Sequence, residues 1–106
     1  MKVLALDKDG KFVPYEAVYS KPLHEEDNKM FCMVARNHDE GFLISTIKRQ
    51  YPNNESRWLY ETAVFRAGKW DSLFSWDSID RDDALEAHKG AVIRVRAGDY
   101  NKPNKS

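Results

Sequence analysis

The chain has 106 residues, with 17 basic and 17 acidic side chains and one cysteine. That length fits a single domain, and zero net charge argues against a protein that coats a polyanion or mimics acidic DNA. Since 42% of the residues are hydrophobic and one cysteine cannot form an internal disulfide, we expect a packed domain in a reducing, cytoplasmic setting.

The N-terminal part alternates short extended segments with polar turns. Val3 to Leu6 predicts a strand, and Asp7 to Lys11 predicts a turn because aspartate and glycine favour turn conformations. Phe12 to Tyr19 predicts a second strand, which lies at a sheet edge or starts after Pro14, because proline cannot donate to a ladder. Lys21 to Lys29 is polar and predicts a loop.

The middle of the chain is more apolar. Met30 to Ala35 predicts a buried strand, followed by a turn over Asn37 to Gly41, although a short helix over residues 25–35 stays open. Phe42 to Arg49 predicts a further strand, and Tyr51 to Ser56 a loop. No apolar run approaches the roughly 20 residues that cross a bilayer, so no membrane association is expected.

The clearest strand is Arg57 to Arg66, whose alternation separates two faces. One face carries Trp58, Tyr60, Thr62 and Val64, and the other carries Leu59, Glu61, Ala63 and Phe65. Ala67 to Lys69 predicts a tight turn, and Trp70 to Trp76 a strand that pairs back. Residues 42–76 therefore predict an antiparallel meander.

One helix is well specified near the C-terminus. Asp80 is placed to cap it, and Gly98 to end it. Side chains at three- and four-residue spacing predict one buried face, made of Ala84, Leu85, His88, Ala91, Val92 and Val95. Gly90 costs about 1 kcal/mol in a helix interior, so we expect it to mark a close approach of helix and sheet.

These elements predict an α+β domain over residues 1–99, followed by a flexible polar tail over 100–106. We expect an antiparallel sheet of about four to six strands with one C-terminal helix packed on one face. Because one helix covers one face, part of the set of 13 aromatic residues should remain on the other face. We expect some of Tyr15, Tyr19, Trp58, Trp70 and Trp76 to lie there.

Metal, cofactor and nucleophile motifs are weak. His24 and His38 lie in acidic loops without a zinc-ligand spacing. Cys32 and His88 lie in apolar segments, which is typical of core residues rather than of a nucleophile and its base. We therefore expect no metal, no cofactor and no enzymatic activity.

Asp7 and Asp9 follow an apolar strand in the pattern Asp-X-Asp-Gly. This resembles the first motif of haloacid-dehalogenase-type phosphatases, and the resemblance implies a small phosphohydrolase as a remote alternative. The favoured interpretation of the same residues is a hairpin turn, because strands rather than a Rossmann-like core follow.

The favoured function is protein binding. Residues 71–86 carry six acidic and one basic side chain, and they also hold aromatic residues. Aromatic side chains with an acidic rim suit a protein interface better than a phosphate backbone. The predicted partner is a host protein or a second copy in a homodimer. The predicted partner-binding residues are Trp58, Tyr60, Trp70, Phe74, Trp76, Asp77 and Asp80.

Single-stranded nucleic acid is the alternative partner. Residues 43–70 hold five basic and two acidic side chains, interleaved with aromatic residues on which bases could stack. The predicted contacts are Lys48, Arg49, Arg57, Arg66 and Lys69, together with Tyr60.

Two segments resemble a pattern in small phage and prophage proteins. Leu59 to Phe65 is similar to their Tyr-Glu-Thr-X-Val-Phe strand, and Ser78 to Val92 to their acidic helix start and Ala-X-X-X-His helix. The resemblance covers about residues 57–97 and departs at Ala87, where the group usually has glycine. It implies an accessory protein that binds host machinery, including defence components, in the host cytoplasm, and it supplies no catalytic residues.

Overall fold

The computed structural model describes residues 3–20, 32–51, 54–66, 68–69 and 72–99. The strands are β1 (Leu4–Leu6), β2 (Phe12–Pro14), β3 (Cys32–Asp39), β4 (Phe42–Tyr51), β5 (Asn54–Arg66) and β6 (Ser72–Ser78). The helices are α1 (Tyr15–Tyr19) and α2 (Arg81–Arg96).

The strands form one mostly antiparallel sheet in the order β2-β1-β3-β4-β5-β6, with α2 packed on one face. The predicted α+β class and the antiparallel meander of β4, β5 and β6 are confirmed. The predicted loop at Lys21 to Lys29, the helix alternative over residues 25–31 and the tail 100–106 lie outside the described residues. Residues 32–35 are strand rather than helix.

β1 enters the sheet parallel to β3, with Leu4 opposite Ala35. It forms a hairpin with β2 through the predicted turn, in which the Asp7 N–H donates to the Lys11 carbonyl at 2.8 Å. A parallel neighbour requires a crossover connection, and here the hairpin, α1 and the segment after it provide one.

The prediction of one strand from Phe12 to Tyr19 is wrong after Pro14. Pro14 ends β2 with a φ of −56°, and the next five residues form α1. This proline has no N–H to continue the ladder, and its fixed φ suits a helix start. Tyr15 is buried in a small cluster with Val3 and Ala5, which stabilises the helical turn.

Strand lengths exceed the predictions at two turns. β3 continues through Asn37 to Asp39, and the turn to β4 has only two residues, Glu40 and Gly41. Their φ angles of 52° and 82° are both positive, as a type I′ hairpin turn requires. β4 and β5 likewise extend into the predicted loop over Tyr51 to Ser56, because the ladder between the two strands continues there.

α2 follows its predicted caps. The Asp80 carboxylate accepts the N–H of Asp83 at 2.8 Å, and Gly98 has a φ of +80° just past the end of the helix. The face toward the sheet buries Ala84, His88, Ala91, Val92 and Val95. The main core forms where Ala91, Val92 and Val95 meet Leu6, Phe42, Ile44 and Val64.

Gly90 does not mark a close approach of α2 to the sheet, so that prediction is wrong. Its position is exposed, and a Cβ added there would meet no neighbouring atom within 4 Å. The glycine lies on the solvent side of α2, where it lowers helix stability without improving packing.

We expect Gly90→Ala to raise the free energy of unfolding by about 1 kcal/mol, because alanine gains helix propensity without a clash. Urea unfolding followed by far-UV circular dichroism measures the change. Glu86→Gly, at another exposed helix position, is the matched control and should destabilise by a similar amount. A destabilised Gly90→Ala variant would contradict the open position of this glycine.

A buried polar network joins α2 to the centre of the sheet. His88 Nδ1 lies 2.9 Å from Thr46 Oγ1, and His88 Nε2 lies 3.0 Å from Asn37 Oδ1. Thr46 Oγ1 lies 2.8 Å from Thr62 Oγ1. The predicted core role of His88 is confirmed, since its side chain is fully buried.

Leu6 determines the direction of every hydrogen bond in this network. Its N–H donates to Asn37 Oδ1 at 2.8 Å, and its carbonyl accepts from Asn37 Nδ2 at 2.9 Å. Asn37 Oδ1 therefore faces His88, whose Nε2 must carry the proton. His88 Nδ1 then accepts from the Thr46 hydroxyl, which accepts from Thr62. The imidazole is held in one neutral tautomer.

Arg96 ties the end of α2 to the same region. Its guanidinium donates to the carbonyls of Asp7 at 2.6 Å and Leu6 at 2.9 Å. It also forms an ion pair with Asp39 at 3.4 Å.

Neither helix of the described residues has the length and apolarity needed to cross a membrane.

Candidate interaction surface

Four aromatic residues of β5 and β6, Trp58, Tyr60, Phe74 and Trp76, lie on the same face of the sheet as α2. Thr62 identifies this face, because it reaches His88 through Thr46. Trp76 is directly opposite Thr62 in the ladder and packs against the main core. Trp58 is four residues from Thr62 along β5, so it shares this face. Trp58 and Trp76, two of the five residues from which the opposite face was expected to draw, therefore lie on the α2 face instead.

The two predicted tyrosines lie elsewhere. Tyr15 is buried beside β1, and Tyr19 is half-buried next to it in α1. The Tyr19 hydroxyl accepts from Asn37 Nδ2 at 3.0 Å and from the His38 N–H at 2.6 Å. Burial raises the pKa of Tyr19. Both tyrosines therefore support the fold rather than form a binding surface.

Most of the exposed large apolar side chains lie on β5, β6 and the connection from β6 to α2. Among the described residues they are Trp58 at 42% exposure, Leu73 at 40%, Phe74 at 44%, Ile79 at 75% and Ile93 at 50%. The first four lie on β5, β6 or the connection from β6 to α2, and only Ile93 lies on α2. Clustered exposed apolar residues are typical of an interaction site, whereas single ones are ordinary.

β6 carries the central part of this surface. The rings of Phe74 and Trp76 stack with centroids 6.1 Å apart and an interplanar angle of 15°. Leu73 lies at a β-bulge, where the register between β5 and β6 shifts, and its side chain is exposed. β6 is the last strand of the described sheet, so its apolar side chains flank a sheet edge. We call Trp58, Leu73, Phe74, Trp76 and Ile79 the β6 surface.

Trp58 lies beside a cation at one end of this surface. The Lys48 ammonium is 5.2 Å from the Trp58 ring centroid and 5.8 Å from that of Tyr60. Cation–π contacts at exposed sites contribute about 0.5–1 kcal/mol. Lys48 therefore adds a small stabilising contact to both rings.

Acidic side chains border the β6 surface where α2 begins. Asp77 and Asp80 are exposed, and Asp82 and Asp83 follow in the first helical turn. The charge of Asp80 raises the pKa of the Asp83 carboxyl. The predicted combination of aromatic residues with an acidic rim is therefore present, except that Trp70 lies outside the described residues.

The basic residues of the nucleic-acid alternative are dispersed. Lys48 and Arg66 are six residues apart along the ladder of β4 and β5, about 20 Å. Arg66 lies over the Phe42 ring, with its guanidinium carbon 5.3 Å from the ring centroid. Arg49 is on the opposite face in an ion pair with Glu61 at 3.4 Å. Lys69 is exposed in the turn before β6.

Asp7 and Asp9 form the tip of the β1–β2 hairpin. Asp7 Oδ1 accepts the N–H groups of Asp9 and Lys11, each at 2.9 Å. The Lys11 bond is the main reason that the pKa of Asp7 is lowered. Asp9 is exposed. The carboxylate that would act as a nucleophile thus already serves to order a turn.

The remaining candidates do not form a site in the described part of the chain. Cys32 is exposed at the start of β3, contrary to the predicted core position, because Ala35 and Val34 supply the buried side chains of that strand. His38 Nε2 lies 3.1 Å from the Tyr15 hydroxyl. No metal-like group of His, Cys, Asp and Glu occurs among the described residues. His24 and the Arg57 side chain lie outside them.

Leu73 and Ile79 belong to the β6 surface but were not among the predicted contacts. Leu73 lies at a β-bulge, which the sequence pattern does not show, and Ile79 lies between β6 and α2. Comparisons of the chain with protein-family models, curated proteins and solved structures give no match.

Proposed function

We propose that the chain is a non-enzymatic binding protein that engages another protein through the β6 surface and its acidic rim. The observation that carries this proposal is the concentration of exposed apolar side chains on β5, β6 and the connection to α2. Removing these side chains from water on association supplies the driving force. Asp77 and Asp80 would select a partner with basic residues around an apolar centre.

The wide separation of the basic side chains supports a protein rather than a nucleic acid as the partner. A phosphate backbone is held by several cations along one path, and here Lys48, Arg49 and Arg66 lie on two faces and at two ends of the hairpin. The resemblance to phage and prophage proteins extends the proposal to a host protein as the partner.

The test is capture from a bacterial lysate with the immobilised chain. We expect the double variant Leu73→Asn/Phe74→Asn to lose the captured proteins and to bind a purified one at least about tenfold more weakly, a loss of 1.4 kcal/mol or more. Ile93→Asn is the matched control, since Ile93 is equally exposed but lies on α2.

Equal recovery by the wild type and both variants would contradict the proposal. Recovery of nucleic acid in place of protein, with binding that weakens steeply with salt and with Lys48→Glu, would favour the alternative instead.

A further inference from the structure

We propose that the outer edge of β6 pairs antiparallel with β6 of a second copy, so that two sheets join across a two-fold axis at Ser75. The inference rests on the proposed function and names the partner of the same surface. It is carried by the edge position of β6, its chemical pattern about Ser75 and the charges at its two ends.

The two edges of the described sheet differ in how they are protected. β2 has three residues and ends in Pro14, and short length and proline are common means of blocking edge pairing. β6 has seven residues, Ser72–Ser78, with no proline, lysine or arginine. Its β-bulge is confined to Leu73, so Phe74 to Ser78 keep a regular register. It is therefore the edge that can accept another strand.

The order of residues along β6 is self-complementary about its central residue. In a two-fold antiparallel pairing centred on Ser75, Phe74 of each copy lies opposite Trp76 of the other. Both residues are on the face that carries α2, so the stacked pair of each copy meets its counterpart there. Aromatic pairs across strands contribute about 0.2–1 kcal/mol each. Ser75, which is small and exposed, lies opposite itself.

The charges fit the same register. Asp77 lies opposite Leu73 of the other copy and is separated from the other Asp77 by four residues along the strand, about 13 Å. That separation exceeds the screening length at physiological salt, about 8 Å. The acidic end at Asp80 lies beside the other copy's turn that leads into β6. Arg66 at the end of β5 and Lys69 in that turn are exposed.

Sedimentation velocity over a concentration series tests the pairing. We expect the full chain to dimerise by about 100 µM, and we expect Ser75→Lys to raise the dissociation constant at least about tenfold, because it sets two like charges opposite each other. Ile93→Lys is the control and should leave the dimer unchanged. Far-UV circular dichroism should show that both variants remain folded, since both positions are exposed.

A disulfide test reports the register directly. In a Cys32→Ser background, Ser75→Cys should form a covalent dimer on mild oxidation. Opposite residues in an antiparallel pair have Cβ atoms about 4.5–5.5 Å apart, and a small shift brings them to the roughly 3.5–4.5 Å that a disulfide requires. Ile93→Cys should remain monomeric.

A wild type that stays monomeric at all concentrations would overturn the inference, as would cross-linking of Ile93→Cys to the same extent as Ser75→Cys. A monomer that still captures a different protein through Leu73 and Phe74 would overturn only the self-pairing and leave the proposed function standing.

Discussion

Replacing Asn37 with leucine is expected to lower the free energy of unfolding by about 4 kcal/mol. Leucine has nearly the same size, so little cavity forms. The substitution leaves two buried donors without partners, the Leu6 N–H and the His88 Nε2–H. In the wild type both donate to Asn37 Oδ1. Each buried unsatisfied donor costs about 1–3 kcal/mol. Chemical unfolding monitored by tryptophan fluorescence measures the loss.

Asp39→Asn is the matched control for Asn37→Leu. Asp39 lies at the rim of the same region and pairs with Arg96 at 3.4 Å, with both side chains partly exposed. Its replacement should cost less than about 1 kcal/mol. A double-mutant cycle of Asn37→Leu with His88→Leu should show a coupling of at least about 1 kcal/mol. Additive losses would show that the two side chains do not act as one network.

Lowering the pH from 7 to 5 is expected to reduce the free energy of unfolding by about 2 kcal/mol through His88. Burial lowers the pKa of His88 from its ordinary value of 6.5 to about 3. Between these values the unfolded chain binds a proton that the folded chain does not. Acid therefore favours the unfolded state, and stability rises with pH until about 6.5. The free energy of unfolding continues to fall until the pH reaches about 3, where His88 in the folded chain also becomes protonated.

The His88→Gln variant isolates this contribution. Glutamine cannot titrate. Between pH 7 and pH 5 the free energy of unfolding of the variant should therefore change by less than about half of the change in the wild type. His38 is exposed and present in both proteins, which keeps the background equal. Equal pH dependence of the wild type and His88→Gln would show that His88 is not held neutral. Ordinary carboxyl groups titrate mostly below this window, at about pH 4.

The parts of the fold that depend on local signals were predictable. Apolar alternation predicted β5, and an aspartate cap with a terminal glycine predicted α2. Both features depend on the conformational preferences of residues that lie within a few positions of one another in the sequence. His88 was also identified as a core residue, because its spacing places it on the apolar helix face. The sequence does not identify Asn37 and Thr46 as the partners of His88, since they are 51 and 42 residues away along the chain.

Predictions failed where one residue serves an interaction that the local sequence does not show. Asn37 was assigned to a turn because asparagine favours turns, yet its amide is buried and bonded to β1. Gly90 was assigned a packing role that its exposed position excludes. The face of Trp58 and Trp76 depended on which side of the sheet α2 occupies. That side follows from tertiary contacts and not from alternation, which only divides residues into two sets.

The guanidinium of Arg96 has a consequence for synthesis of the chain. It bonds the backbone of Leu6 and Asp7, which precede it by 90 and 89 residues. β1 leaves the ribosome before α2, and the groups of α2 that hold β1 in place emerge about 90 residues later. The contacts between β1 and α2 therefore cannot form until Arg96 has left the exit tunnel, and we expect this domain to fold in one late step rather than strand by strand.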